Sequence, residues 1–193
     1  MPKKSQAEFD AQCSAAILQT KRVVSNVGLC AGARLGQVLD IAEKEMAYQR
    51  GALIFQPGRG QHPVLLAHAR GHATEADFRQ DMRRVRHLLA GNGNRGVVRH
   101  SIDTGDTMIL EDCLDEELYV AADWTMRSEL CLSVDVGFHA KIALNFESEK
   151  TGHFGEQDHD LASILLSEII PLLRTDVIGR SMPFLASANT YLT

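Results

Sequence analysis

The sequence predicts an α+β fold in which an antiparallel sheet packs against amphipathic helices. Two apolar runs flank a short Pro-Gly turn, a second pair of alternating segments follows residue 128, and helical periodicity occurs at both ends of the chain. Strands joined by hairpins, with helices gathered at the ends, are typical of this layered architecture.

Three helices are predicted in the first half of the chain. The first begins at the capping box of residues 5–8 and carries an apolar stripe: Phe9, Cys13, Ala16, Ile17, Thr20, Val24 and Val27. The second carries an apolar stripe over residues 35–46 and is expected to stop with Arg50 in its last turn and Gly51 beyond it. The third begins at the capping box of residues 74–77. Its basic outer face indicates a solvated surface: Arg79, Arg83, Arg84, Arg86 and His87.

Strands are predicted where short apolar or alternating runs are bounded by turn residues. In chain order these runs are 52–55, 64–67, 97–101, 107–110, 130–134 and 140–146. A final helix begins near Glu156, and Pro171 is expected to kink or end it. The predicted order is therefore two helices, two strands, a helix, four strands and a closing helix.

Composition bounds the function. At 193 residues, 45% apolar and 23% charged, the chain is expected to form one globular unit. A net charge of −5 favours neither nucleic acid nor an anionic membrane as partner. With no signal segment and no apolar run long enough to span a membrane, we expect a cytoplasmic protein. The four cysteines form no C-x-x-C pair and are expected to be free thiols.

Motifs with specific chemistry are scarce. Residues 91–96 spell G-x-G-x-x-G, but the predicted order places this motif after a helix and before a strand, which indicates a connector. His153 and the acids that follow it are expected from the start of the last helix, so we predict no metal site. Hydrolase and P-loop motifs do not occur, and no catalytic residue is predicted.

The acidic segment before residue 130 is the best candidate for a binding site. It places Asp123, Trp124 and Glu129 around one loop that enters a strand. Carboxylates and an aromatic face suit a small cation, amine or amino acid. The alternative is a solvated loop with Trp124 packed on the sheet, and the sequence leaves both interpretations open.

The element order from Gly51 to about Leu173, with the phrases at 104–112, 127–130 and 144–148, resembles GAF domains. The resemblance implies an antiparallel sheet with helices on one face and a ligand pocket on the other. It also implies that the first and last helices pair between two subunits, so a homodimer is expected. The domain division that follows is an N-terminal dimerisation helix at 1–32, a GAF-like domain at 33–174 and a C-terminal tail at 175–193.

Free methionine-(R)-sulfoxide reductases are small GAF enzymes, and their amine-binding carboxylates match Asp123 and Glu129 here. Their catalytic cysteine falls on Ala122, which removes the attacking thiolate. The resemblance therefore implies a non-catalytic sensor with an unknown small-molecule ligand, no other cofactor and a possible downstream regulatory partner. The predicted ligand-binding residues are Asp123, Trp124, Glu129, Cys131 and Asn145. Two alternatives stay open: a divergent reductase that uses Cys113 or Cys131, and a ligand-free dimerisation module.

Overall fold

The computed structural model describes residues 5–58, 61–70, 75–90, 96–120, 125–137 and 139–174. Its helices are α1 (Gln6–Val24), α2 (Ala31–Met46), α3 (Glu75–Ala90), α4 (Val97–Thr104) and α5 (Glu156–Leu172). Its strands are β1 (Arg50–Gln56), β2 (Val64–Arg70), β3 (Met108–Leu110), β4 (Ser128–Gly137) and β5 (Ala140–Ser148). The strands form one antiparallel sheet in the order β2-β1-β5-β4-β3, which confirms the predicted α+β fold.

One face of the sheet, here called the helix face, is covered by α2 and α5, and α1 packs on these two helices. Alternation places Leu130 and Leu132 of β4 and Ile142, Leu144 and Phe146 of β5 in this core, as the sequence predicts. The capping box at the start of α1 is also present, with the Ser5 amide donating to the Glu8 carboxylate at 2.9 Å. The apolar stripe of α1 is buried within the chain at Phe9, Cys13, Ala16 and Thr20.

The opposite face, here called the site face, carries a smaller apolar cluster and is partly covered by α4. The predicted strand at 97–101 is wrong, because these residues begin α4. Val97 and Ile102 are buried against Ile54 and Ala143 of the sheet, and this packing outweighs the β-propensity of the local sequence. Helices therefore lie on both faces, and three strands rather than four follow α3.

The prediction that a strand follows the G-x-G-x-x-G motif is wrong, because the motif leads into helix α4. Its last residue, Gly96, is the N-cap of α4 with φ of 114°, a conformation that favours glycine. The motif still follows α3 rather than a strand, so it lacks the strand-loop-helix order of a dinucleotide site. Residues 91–95 lie outside the described residues.

Two helix ends also differ from the sequence prediction. The stop for α2 at Arg50 and Gly51 is wrong: the helix ends at Met46, Ala47 adopts the left-handed conformation with φ of 54°, and Arg50 already begins β1. Pro171, which was expected to kink or end α5, lies inside its last turn, and the helix ends one residue later at Leu172. The basic face of α3 is exposed, as predicted. The predicted capping residue of this helix, Thr74, lies outside the described ranges.

Candidate functional site

A row of charged side chains crosses the site face near one edge. Arg50 of β1 lies opposite Glu147 of β5, and Glu147 lies opposite Glu129 of β4. These three residues are here called the charged row. Because residues in direct register on neighbouring strands have their Cβ atoms about 5 Å apart, the two carboxyl groups and the guanidinium share one small region.

All three members of the charged row are buried: Arg50 is 2% exposed, Glu129 3% and Glu147 5%. Arg50 Nη1 donates to Glu147 Oε2 at 2.5 Å, and Tyr119 Oη donates to Glu147 Oε1 at 3.5 Å. Buried charges are costly unless they are paired, and here one guanidinium serves two carboxyl groups. The row therefore has a deficit of positive charge.

The shortage of positive charge affects the carboxyl group of Glu129 most. Burial raises the pKa of its carboxyl group well above the usual range, and repulsion from Glu147 raises it further. Hydrogen bonding to Asn145 and the charge of Arg50 lower the pKa but offset only part of this rise. Among the described residues, Glu129 Oε2 has no hydrogen-bond donor. A buried acceptor without a donor is uncommon and calls for an explanation.

Asn145 and Cys131 form the next row along the same two strands. They are register partners on β5 and β4, and alternation places both on the site face with Glu129. Asn145 is 7% exposed, and its Oδ1 also has no donor within the described ranges. The structure thus brings together three of the five predicted ligand-binding residues. The other two, Asp123 and Trp124, lie outside the described residues.

Sequence reasoning missed Arg50, Glu147 and Tyr119 as members of the site. Arg50 was predicted to end a helix, and Glu147 entered only as part of a family phrase. Strict alternation could have found Glu147, since it follows Asn145 by two residues and must share its face. The pairing of Arg50 with Glu147 spans 97 positions, so no local pattern reveals it.

An ion pair joins Asp112 and Arg127, which lie at the two ends of the segment that carries Tyr119. Arg127 Nε donates to Asp112 Oδ1 at 3.0 Å, and Arg127 Nη2 donates to Asp112 Oδ2. Hydrogen bonding from Arg127 lowers the pKa of the Asp112 carboxyl. The Cys113 amide donates to the Arg127 carbonyl at 2.7 Å, and the Arg127 amide donates to the Ser148 carbonyl at 2.7 Å. These bonds join the two ends of the segment to each other and tie Arg127 to the end of β5, beside the charged row.

The cysteines near the site are poor nucleophiles. Burial, reinforced by the charge of Glu129, raises the pKa of both the Cys113 and Cys131 thiols far above neutral pH. A protonated thiol lacks the nucleophilic form that thiol chemistry requires. Cys13 is buried on the helix face, and Cys30 is exposed at the start of α2.

The sheet order and the placement of the helices define a GAF-like α+β fold. Neither a protein-family model nor a curated protein sequence matches this chain. Solved structures do match, among them the free methionine-R-sulfoxide reductase from Neisseria meningitidis in complex with its substrate. That similarity has 17% identity and a TM-score of 0.63, and it covers 86% of this chain and 92% of the reductase.

GAF domains of other proteins are equally similar in fold. The GAF domain from a phosphoenolpyruvate-protein phosphotransferase of Coxiella burnetii has 15% identity and a TM-score of 0.63, over 89% of this chain and 98% of the domain. Because sequence identity is this low, the similarities establish the fold, and the function has to be argued from the site.

Two further findings bear on partners. Within the described ranges, no group of three or more His, Cys, Asp or Glu side chains could hold a metal ion. None of the helices described is long and apolar enough to cross a membrane.

Proposed function

We propose that this chain is a non-catalytic, small-molecule-sensing GAF-type domain whose ligand binds beside the charged row. The observation that carries the proposal is the pair of buried acceptors, Glu129 Oε2 and Asn145 Oδ1, that have no donor among the described residues. A ligand that presents an ammonium, amide or hydroxyl donor would satisfy both atoms and remove the cost of leaving them unpaired.

Charge narrows the ligand class. The row contains two carboxyl groups and one guanidinium, so the end of the ligand that meets Glu129 is neutral or positive. A negatively charged group there would add a third like charge in a buried region. In this proposal Asp123 supplies a further carboxylate, Trp124 a stacking wall, and Cys131 part of the lining.

The proposed signal passes from the site face to the helix face through β5. Phe146 adjoins Glu147 in the chain but points to the opposite face, where its ring lies 4.6 Å from that of Tyr48. The Tyr48 hydroxyl donates to the Leu39 carbonyl of α2 at 2.5 Å. These contacts connect the site spatially to the helices. Signalling additionally requires that the ligand bind two helix arrangements with different affinity.

The output of the sensor is proposed to be a homodimer or a downstream regulatory protein in the cytoplasm. The inner stripe of α1 is already covered by α2 and α5. A contact between subunits would therefore use outer residues of the N-terminal region, such as Leu18, which is 53% exposed, and Val27, which is 93% exposed.

A thermal-shift screen tests the proposal. Amino acids, simple amines, nucleotides and inorganic anions are added to the purified protein, and we expect a donor-bearing neutral or cationic compound to raise the melting temperature. Glu129→Ala should abolish that shift, whereas Glu168→Ala, a matched change in α5 on the helix face, should retain it. An undiminished shift in Glu129→Ala would remove Glu129 from the site.

The reductase alternative shares the fold and has two buried thiols near Glu129 in its favour. The raised pKa values of Cys113 and Cys131 weigh against it, as does Ala122 at the position of the reductases' catalytic cysteine. A coupled assay of free methionine sulfoxide reduction with a thiol reductant separates the two proposals. Turnover that disappears in Cys113→Ser or Cys131→Ser would favour the enzyme.

A further inference from the structure

A concave surface lies at the end of the site face remote from the charged row. It is an open cleft of about 390 Å³ between α4 and the sheet, within the size range of small-molecule sites. Among its lining residues are Gln56, Arg99, Asp103, Asp135 and Lys141. Lys141 precedes Glu147 on the same strand by six positions, so the two regions are roughly 20 Å apart at about 3.3 Å per residue.

Lys141 brings a cation into this cleft. Its ammonium donates to the Ile102 carbonyl in the last turn of α4. Its register partner Asp135 accepts instead from the Gly137 amide at 2.7 Å, and the described residues include no carboxylate within ion-pair distance of Lys141. Because an ammonium has three donors, two remain for a ligand.

Arg99 adds unused donors from α4. Its Nε donates to Asp103 Oδ2 at 2.8 Å, and its side chain is 28% exposed. In the part of the chain that the structure describes, its two terminal amino groups have no acceptor. Guanidinium and ammonium groups that converge on one cleft are well suited to a carboxylate or a phosphate.

Gln56 supplies the complementary feature. This residue is 5% exposed, and its Nε2 donates to the carbonyls of Gly58 and Gln61, which fixes the orientation of the amide. Its Oε1 is buried and has no donor among the described residues. A buried acceptor in the wall of the cleft calls for a donor on the bound molecule.

We propose that this cleft is a second ligand site, separate from the charged row. It takes a small organic anion with one carboxylate or phosphate group, held by Lys141 and Arg99, and one hydroxyl or ammonium donor, directed to Gln56. Asp103 and Asp135 make the lining close to neutral, so the site selects singly charged molecules over polyanions.

Amide-detected NMR titration of the full chain with glycolate and with inorganic phosphate tests the site. We expect saturable shifts at Ile102, Asp103 and Lys141, with dissociation constants in the millimolar range typical of such small probes. Lys141→Met should weaken binding at least tenfold. Arg99→Gln, which leaves the contact between Lys141 and α4 intact, should weaken it several-fold. Lys21→Met on α1 is the matched control and should bind as the wild type does.

Three results would overturn the proposal. Shifts that do not saturate show that no site exists, and binding that is unchanged in both Lys141→Met and Arg99→Gln places the probe elsewhere. Loss of binding in Glu129→Gln would assign the anion to the charged row. Unchanged binding in Glu129→Gln, with loss in the two cleft variants, supports a separate site whether or not the charged row proves to bind a ligand.

Discussion

Glu129 and Glu147 face each other in direct register on neighbouring central strands, and both carboxyl groups are buried. Like charges opposite one another destabilise a sheet, and burial increases the cost. Arg50 pairs with Glu147, and among the described residues no cation forms an ion pair with Glu129. This arrangement costs stability in the empty domain, and a proton or a ligand that donates to Glu129 lowers that cost.

Arg50→Met should be strongly destabilising. Loss of one partner from a buried ion pair typically costs about 3–5 kcal/mol because the remaining charge is buried alone. We expect a lower free energy of unfolding in urea at pH 8, and a smaller loss at pH 5, where Glu129 with its raised pKa takes up a proton more readily. Lys21→Met breaks the exposed pair with Glu168 and should cost less than about 1 kcal/mol. Equal losses in the two variants would contradict the assignment of Arg50 to the charged row.

Glu129→Gln should stabilise the ligand-free domain at high pH. The folded chain raises the pKa of Glu129 above its ordinary value of 4.5, so the folded state binds this proton more tightly than the unfolded state. The resulting stability is fully present below the unfolded pKa and is lost as the pH rises through the folded pKa. Gln imitates the protonated form and does not undergo this loss.

The expected gain for Glu129→Gln at pH 8 is about 1–3 kcal/mol, the usual cost of a buried unsatisfied polar group. This corresponds to roughly 2–4 °C in melting temperature per kcal/mol for a chain of this size. Differential scanning calorimetry at pH 5 and pH 8 measures the difference, which should shrink at pH 5. A gain that is independent of pH, or a loss that grows with pH, would show that Glu129 is ionised without penalty.

The four thiols should react with a disulfide reagent in two groups. Cys30 is exposed and should react fast at pH 8, whereas Cys13, Cys113 and Cys131 are buried and should react only as the chain opens. Spectrophotometric titration should give one fast thiol in the native protein and four in denaturant. Cys30→Ser should remove the fast phase, and a fast phase that persists in this variant would reveal an accessible thiolate at the site.

Local sequence patterns predicted the elements that have one buried side and one exposed side. The alternation of the predicted strand at 130–134 places Leu130 and Leu132 on one face of the sheet, and the structure confirms it, with Glu129 and Cys131 on the other face. The capping box of α1 was also predictable, because its hydrogen bonds join residues only three positions apart.

The remaining features depend on contacts that are distant in sequence. Residues 97–101 contain two adjacent valines and read as a strand, but they belong to α4, which Gly96 and Gly105 cap and which shares a buried cluster with Ile54 and Ala143. Arg50 was predicted to lie at the end of a helix, but it begins β1, where it pairs with Glu147. Sequence reasoning could not identify the charged row, because its members lie on three different strands. Only the order and register of these strands in the sheet bring the three residues together.

Native mass spectrometry of the gently purified protein, compared with its denatured mass, tests ligand binding at the charged row most directly. We expect the wild type to carry the added non-covalent mass of a small donor-bearing molecule, and Glu129→Gln, purified in parallel, to lack it. The same added mass on both proteins would contradict a site at Glu129. Two bare proteins that also fail to take up any compound from the thermal-shift screen would contradict the sensor itself.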